Sequence, residues 1–137
     1  MAAPINGDLV QYYEKEGFGP RRRILVVDDS VDAAEALGEL LRDFGHEVAT
    51  AHDGPKALDC ARLHRPEVVL LDIGMPEMDG YEVAKRMREE LGLGDALLVA
   101  LSGHGEDRDR RLAREAGFDQ HVTKPVDAAR LVELLKL

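Results

Sequence analysis

The stretch VVLLDIGMPEMDG, residues 68–80, decides the fold. Four apolar residues in succession (68–71) are typical of a strand that is buried on both faces of a parallel sheet. The run ends at Asp72, and Gly74 and Pro76 then break the strand. Two interpretations compete for Asp72: a solvated acid in a turn, or a reactive carboxylate held at the edge of a sheet.

Short apolar segments alternate with amphipathic ones along the rest of the chain. Besides residues 68–71, the predicted strands are ILVV (24–27), EVAT (47–50), ALLVAL (96–101) and QHVT (120–123). Strands that alternate with helices imply right-handed crossovers. We therefore predict an α/β fold with a doubly wound, five-stranded parallel sheet and helices on both faces.

Five helices are predicted between and after these strands from apolar residues at helical spacing and from capping residues. The first helix has an apolar face from Val31 to Phe44 and stops at Gly45, the second starts at Pro55, and the third follows Asp79 and reaches Leu91. The fourth covers residues 106–117 with only Leu112, Ala113 and Ala116 as apolar anchors, and the fifth follows Asp127 and carries Leu131, Leu134 and Leu135.

Length and composition limit the function. The 137 residues suit one domain, predicted over 23–137, with residues 1–22 as a tail or linker. A net charge of -9 argues against binding nucleic acid or an anionic membrane. No apolar run is long enough for membrane insertion, and no secretory signal is recognisable. Cys60 is the only cysteine, which favours a reduced, cytoplasmic setting.

Polar residues follow four of the predicted strands. An open parallel sheet places its site beyond the carboxyl ends of its strands. The residues predicted there are Asp28 and Asp29 after the first strand, Asp72 after the third, Ser102 after the fourth and Lys124 after the fifth. Each of these signals is weak alone, but their joint placement at one edge is hard to obtain by accident.

These residue types suit phosphoryl chemistry. Three neighbouring carboxylates repel one another and need a counter-charge, which Mg²⁺ with its preference for oxygen ligands supplies. Lys124 adds a positive charge and Ser102 a hydroxyl donor, and both suit the oxygens of a phosphoryl group. A carboxylate is itself a competent nucleophile. We therefore assign Asp72 as a phosphoryl acceptor.

Four motifs in order, ILVVDDS, LLDIGMPEMDGYEVAKRMR, VALSGHG and VTKPV, resemble the receiver domain of two-component response regulators, with its flavodoxin-like fold. The DIGMPEMDGYE and ALSGHG variants look most like receivers attached to hybrid sensor kinases. The resemblance implies that Asp29 binds Mg²⁺ directly, that Asp28 binds it mainly through water, and that the Gly74 carbonyl completes the site. Ser102 and Lys124 would contact the phosphoryl oxygens.

The resemblance also implies a partner on each side of the reaction. The phosphoryl donor would be a phosphohistidine on a histidine kinase or a phosphotransfer protein. An unknown downstream partner would bind the fourth helix, fifth strand and fifth helix. The chain would then be a phosphoacceptor rather than an enzyme, with at most self-catalysed phosphotransfer and autodephosphorylation.

Four residues around the site have further expected roles. Gly74 and His104 flank the site where the family tunes the phosphoryl lifetime, and Pro125 forms a cis or turn-forming neighbour of Lys124. His121 stands where receivers usually place an aromatic ring that turns inward together with the hydroxyl residue. A histidine fills the same space and is able to carry charge near neutral pH, which an inward position would disfavour.

Other classes of protein fit less well. A magnesium-dependent phosphatase with an aspartyl nucleophile often has a second acid two residues after the first, where this chain has Gly74. A flavin or nucleotide carrier would need an uncharged, glycine-rich first loop instead of DDSVD. A receiver that acts only as a docking module, without phosphorylation, usually lacks one of the site residues. The phosphatase and the docking module remain the alternatives.

Overall fold

The computed structural model describes residues 21–76, 78–103 and 107–136, with only the backbone of 107–109. The strands are β1 (Arg23–Val27), β2 (Glu47–Ala51), β3 (Val68–Asp72), β4 (Leu97–Ser102) and β5 (Gln120–Thr123). The helices are α1 (Val31–Asp43), α2 (Gly54–His64), α3 (Gly80–Glu89), α4 (Asp107–Ala116) and α5 (Ala128–Leu135). All pairings are parallel, in the order β2-β1-β3-β4-β5, which confirms the predicted doubly wound sheet.

The sheet separates two hydrophobic cores because alternate residues of a strand point to opposite faces. In β1, Leu25 and Val27 pack on one side, while Ile24 and Val26 pack on the other. The first core is completed by residues of α2, α3 and α4, and the second by residues of α1 and α5. The central strands are therefore apolar throughout, and their polar residues are confined to the strand ends.

Four details of the helix predictions are wrong. Val31 is 53% exposed, because it begins α1 at the open edge of the sheet. Phe44 is buried but lies after the last residue of α1, as its C-cap. α2 begins at Gly54, one residue before Pro55, with Asp53 as its N-cap. Leu91 lies beyond the end of α3 but still packs against the first core.

Some predictions fall on residues that the structure does not describe. Most of the predicted tail, residues 1–20, is among them, and so are His104 and the predicted start of the fourth helix at Glu106. The tail and the role of His104 remain predictions. In the part of the chain that is described, no helix is long and apolar enough to cross a membrane.

Candidate functional site

Three carboxylates meet at the carboxyl edge of the sheet. Asp28, Asp29 and Asp72 each offer one oxygen within 4.8 Å of the other two. Asp28 follows β1 and Asp72 is the last residue of β3, and these strands are neighbours in the sheet. Asp28 and Asp72 are buried, whereas Asp29 is exposed. The cluster therefore has two acids fixed in its floor and one at its rim.

Backbone donors orient the two buried acids. The amide of Ser30 donates to Asp28 Oδ1 at 2.9 Å, and the amide of Gly74 donates to Asp72 Oδ1 at 2.9 Å. Ser30 also caps α1, because its hydroxyl accepts from the amide of Ala33. The turns that break both strands thus hold each carboxylate in place and leave its second oxygen directed to the shared site.

Lys124 lies between the two buried carboxylates. Its Nζ is 2.9 Å from Asp28 Oδ2 and 3.2 Å from Asp72 Oδ2. Burial by itself lowers the pKa of Lys124, but hydrogen bonds and charge from Asp28 and Asp72 together outweigh it, and the net pKa is raised. The ammonium therefore stays charged at neutral pH. The Lys124–Pro125 peptide bond is cis.

Ser102 ends β4 beside this cluster and is buried. Its Oγ is 2.9 Å from His121 Nε2, which is within hydrogen-bond distance. His121 is half-buried on β5, the neighbouring strand. The hydroxyl that was predicted to meet a phosphoryl group is therefore in contact with the residue that was predicted to move with it.

The strand-end residues that the sequence indicated are thus close together, while their chemical roles remain predictions. Sequence reasoning missed Gly80, the first residue of α3. A Cβ added at Gly80 would lie 2.5 Å from Ile73 Cα and 2.8 Å from the carbonyl oxygen of Asp72. Only glycine lets α3 start this close to the loop after Asp72. The Asp79–Gly80 pair at a predicted helix start was the available signal.

The site fits a hard divalent cation. Carboxylate and carbonyl oxygens are the ligands that Mg²⁺ prefers. Three carboxylates and the single ammonium of Lys124 leave the described part of the site with an excess of negative charge. Like charges at this spacing repel, and a bound cation relieves that repulsion. The candidate donors are Asp29 at the rim and the second oxygens of Asp28 and Asp72, which contact Lys124 in this structure.

An apolar groove of about 530 Å³ opens beside the acids. Its walls are the exposed side of α1, with Ala36 and Leu40, and the segment after β5, with Val126. Asp28 and Lys124 also line it. A partner that lies along this groove would therefore reach the acidic cluster.

The comparisons with known proteins agree with this geometry. The family model for the response regulator receiver domain matches residues 24–136. The chain is 29% identical over 115 residues to the polar-differentiation response regulator DivK of Brucella anthropi, covering 84% of this chain and 94% of DivK. It is 41% identical over 114 residues to the transcriptional regulatory protein PrrA of Mycobacterium tuberculosis, covering 83% of this chain but only 48% of PrrA.

A solved structure has the same architecture. The chemotaxis protein CheY4 of Vibrio cholerae superposes with a TM-score of 0.80 at 28% sequence identity. The match covers 85% of this chain and 98% of CheY4. The similarity thus extends over nearly the whole of that solved chain.

Proposed function

Because the chain belongs to the response regulator receiver domain family, and is a phosphorylation-controlled signalling receiver, we propose that Asp72 is its phosphoryl acceptor. The observation that carries this assignment is that Asp72 ends the central strand of the sheet, grouped with Asp28 and Asp29 and in contact with Lys124. Its Oδ2 lies 3.2 Å from the Lys124 ammonium.

In the proposed reaction, a carboxylate oxygen of Asp72 attacks the phosphorus of a phosphohistidine. The new O–P bond forms as the P–N bond breaks, so the imidazole leaves with the electron pair and Asp72 becomes an acyl phosphate. Lys124 then neutralises charge on the phosphoryl oxygens, and Ser102 donates its hydroxyl to one of them. Receiver domains serve as phosphoacceptors and as a rule are not enzymes.

We infer that Asp28, Asp29, Asp72 and the Gly74 carbonyl hold Mg²⁺. When bound, the cation supplies positive charge that offsets the charge of the phosphoryl oxygens. The residues themselves do the positioning: the amides of Ser30 and Gly74 fix one oxygen of each buried acid. This pre-organisation keeps the reacting oxygen of Asp72 aimed at the open edge.

Receiver domains interact with histidine kinases or phosphotransfer proteins, and we infer that this donor docks in the groove along α1. The groove is mainly apolar, and Leu40, Asp28 and Lys124 all line it, so a helix that binds there would contact both apolar side chains and the acidic site. Ala36 lines the groove and is exposed, so substitution there leaves the core intact. Ala36→Arg should slow transfer from a phosphorylated histidine kinase. Acetyl phosphate needs no docking, so it should label the Ala36→Arg variant at the wild-type rate.

The downstream partner is proposed to bind the face formed by α4, β5 and α5. His121 on β5 contacts Ser102 in the site, so a change at the phosphoryl group reaches this face directly.

The lifetime of the phosphoryl group is proposed to depend on Gly74 and His104. His104→Ala should change the half-life of the label more than twofold if His104 acts on it.

The decisive experiment is phosphorylation with acetyl phosphate and Mg²⁺, followed by mass spectrometry. One acid-labile phosphoryl group should appear on Asp72 of the wild type, and Asp72→Asn should carry none. Asp95→Asn, an exposed acid at the opposite edge of the sheet, is the matched control and should label normally. Persistent label on Asp72→Asn would refute the assignment, and an unlabelled wild type would favour the docking module.

A further inference from the structure

Three arginines meet around one groove where the sheet ends at β5. β5 is an edge strand, and a groove of about 370 Å³ lies along it between α4 and α5. Arg110 and Arg114 reach the groove from α4, and Arg130 reaches it from α5. Phe118 and His121 also line it. The groove therefore combines a small apolar surface with three cationic side chains from two helices.

Among the residues that the structure describes, no acid pairs with the arginines of this groove. Arg110 and Arg114 are four residues apart on α4, a spacing at which like charges destabilise a helix. All three arginines are exposed, and none has an ion pair within the described residues. Asp119, the acid in the groove lining, is already bound, because its Oδ2 accepts from Arg88 Nη2 and from the amide of Leu98, each at 2.9 Å.

We propose that this groove binds an acidic segment of a partner protein, with carboxylates placed against Arg110, Arg114 and Arg130. The inference rests on the proposed function, in which α4, β5 and α5 form the output face, and it adds the chemistry of the partner. Guanidinium groups bind carboxylates through paired hydrogen bonds, so three of them select a ligand with several acids. An apolar residue of the ligand would lie against Phe118.

The charge of the whole chain favours an acidic protein segment over nucleic acid. The net charge is -9, so the arginines form a local positive patch on an acidic molecule. A long phosphate backbone would extend beyond the patch and meet negative charge. A short acidic segment, in contrast, fits within the patch, where it is attracted by the arginines without reaching the negative surface around them.

The test uses a fluorescent alanine-rich peptide with three glutamates and one leucine on one helical face, and a matched peptide with glutamines. The groove variant is Arg110→Gln, Arg114→Gln and Arg130→Gln combined. The control variant, Lys56→Gln, Arg62→Gln and Lys85→Gln combined, removes the same charge from exposed positions on α2 and α3. Binding is measured by fluorescence anisotropy in low salt, with and without beryllofluoride.

The groove variant should lose roughly tenfold in affinity for the glutamate peptide, as expected for several solvent-exposed ion pairs. The control variant should stay near the wild type, and the glutamine peptide should bind weakly to all three proteins. Amide shifts in NMR spectra should locate the peptide at β5. Equal losses in both variants, or equal affinity for both peptides, would overturn the proposal.

Two other occupants are tested in parallel. Tighter binding of a short DNA duplex than of the peptide, lost in the groove variant, would assign the groove to nucleic acid. Self-association in sedimentation, lost in the same variant, would assign it to a second copy of the chain. Either result overturns the proposal. Labelling of Asp72 by acetyl phosphate is measured separately, so failure of the phosphoacceptor assignment is distinguishable from failure of the groove.

Discussion

The two edges of the β-sheet treat charge in opposite ways. At the carboxyl edge, three carboxylates cluster, and among the described residues only Lys124 offers a positive charge to Asp28 and Asp72. At the amino edge, guanidinium groups donate to backbone carbonyls that would otherwise lie exposed at chain turns. The side chain of Arg22 donates to the carbonyl of Leu135, that of Arg23 to the carbonyl of Arg65, and that of Arg65 to the carbonyl of Leu91. The side chain of Arg88 donates to the carbonyls of Leu93, Gly94, Ala96 and Gly117.

The difference separates stability from function. Hydrogen bonds to a charged donor stabilise a fold when both partners are satisfied. The amino edge is built in this way and fixes the loops between elements. The carboxyl edge keeps unbalanced negative charge, which lowers stability until a cation or a phosphoryl group arrives. An edge that keeps unneutralised carboxylates, in a domain whose other edge has its hydrogen-bonding groups satisfied, therefore marks the site.

The largest effect is expected from adding a methyl group at Gly80, at the carboxyl edge. At Gly80 the new Cβ would overlap the backbone of Ile73 and Asp72. Gly80→Ala should therefore lower the free energy of unfolding by about 2–3 kcal/mol and slow the labelling of Asp72. Gly94, at the amino edge, has open space around its Cβ position. Gly94→Ala is the control, and a loss as large in this variant would contradict the packing argument. Denaturant titration measures both.

The next effect is expected at the amino edge, from Arg88. Its side chain is mostly buried and also pairs with Asp119 at 2.9 Å. Arg88→Met keeps the apolar stem but leaves several carbonyls unsatisfied, so the free energy of unfolding should fall by about 2 kcal/mol. Arg86, on the same helix, makes an exposed pair with Glu82. Arg86→Met should cost no more than about 0.5 kcal/mol. Similar losses in urea titrations of the two variants would refute the distinction.

A smaller effect is expected for Mg²⁺ affinity. Asp28 already has both oxygens engaged, by Ser30 and Lys124, whereas Asp29 is exposed at the rim. Asp29→Asn should therefore weaken Mg²⁺ binding roughly tenfold, or about 1.4 kcal/mol, and more than Asp28→Asn does. Asp95→Asn at the amino edge should leave the affinity unchanged. Isothermal titration calorimetry tests the order, and a reversed order would contradict direct binding by Asp29.

The smallest effect is a pH dependence at the amino edge. His46 is buried between α1 and β2, and its Nδ1 accepts from the amide of Arg22 at 3.1 Å. Burial, together with the charges of Arg22 and Arg21, lowers the pKa of His46 below its ordinary value of 6.5. The unfolded chain therefore binds a proton more readily than the folded one. Stability is full above about pH 6.5 and declines as pH falls through that value toward the folded pKa.

The free energy of unfolding should therefore fall between neutral pH and about pH 5.5, as measured from denaturant midpoints at each pH. His46→Asn keeps an acceptor without a titrating ring, so its stability should depend less on pH over this range. An unchanged pH dependence in His46→Asn would show that other groups are responsible.

Local sequence pattern accounts for the strands and for their burial, while their order in the sheet was seen only in the structure. Apolar runs such as 68–71 are buried on both faces because each strand lies between two layers of helices. The pattern misplaced Val31, since a helical face indicates periodicity but not where the open edge begins. It also put Phe44 inside α1, although Phe44 caps the helix end and is buried there.

The sequence by itself determined which residues stand at the strand ends, because the end of a strand follows from a local change in composition. Asp28, Asp72, Ser102 and Lys124 were found in this way. Only the tertiary structure decided the contacts between distant segments: the approach of Gly80 to the loop after Asp72, the carbonyls held by Arg88, and the meeting of arginines from α4 and α5. The physical reason is that the partner of a long side chain, or the backbone that a glycine admits, is whichever segment packs beside it. That neighbour is set by the whole fold, not by residues nearby in the sequence.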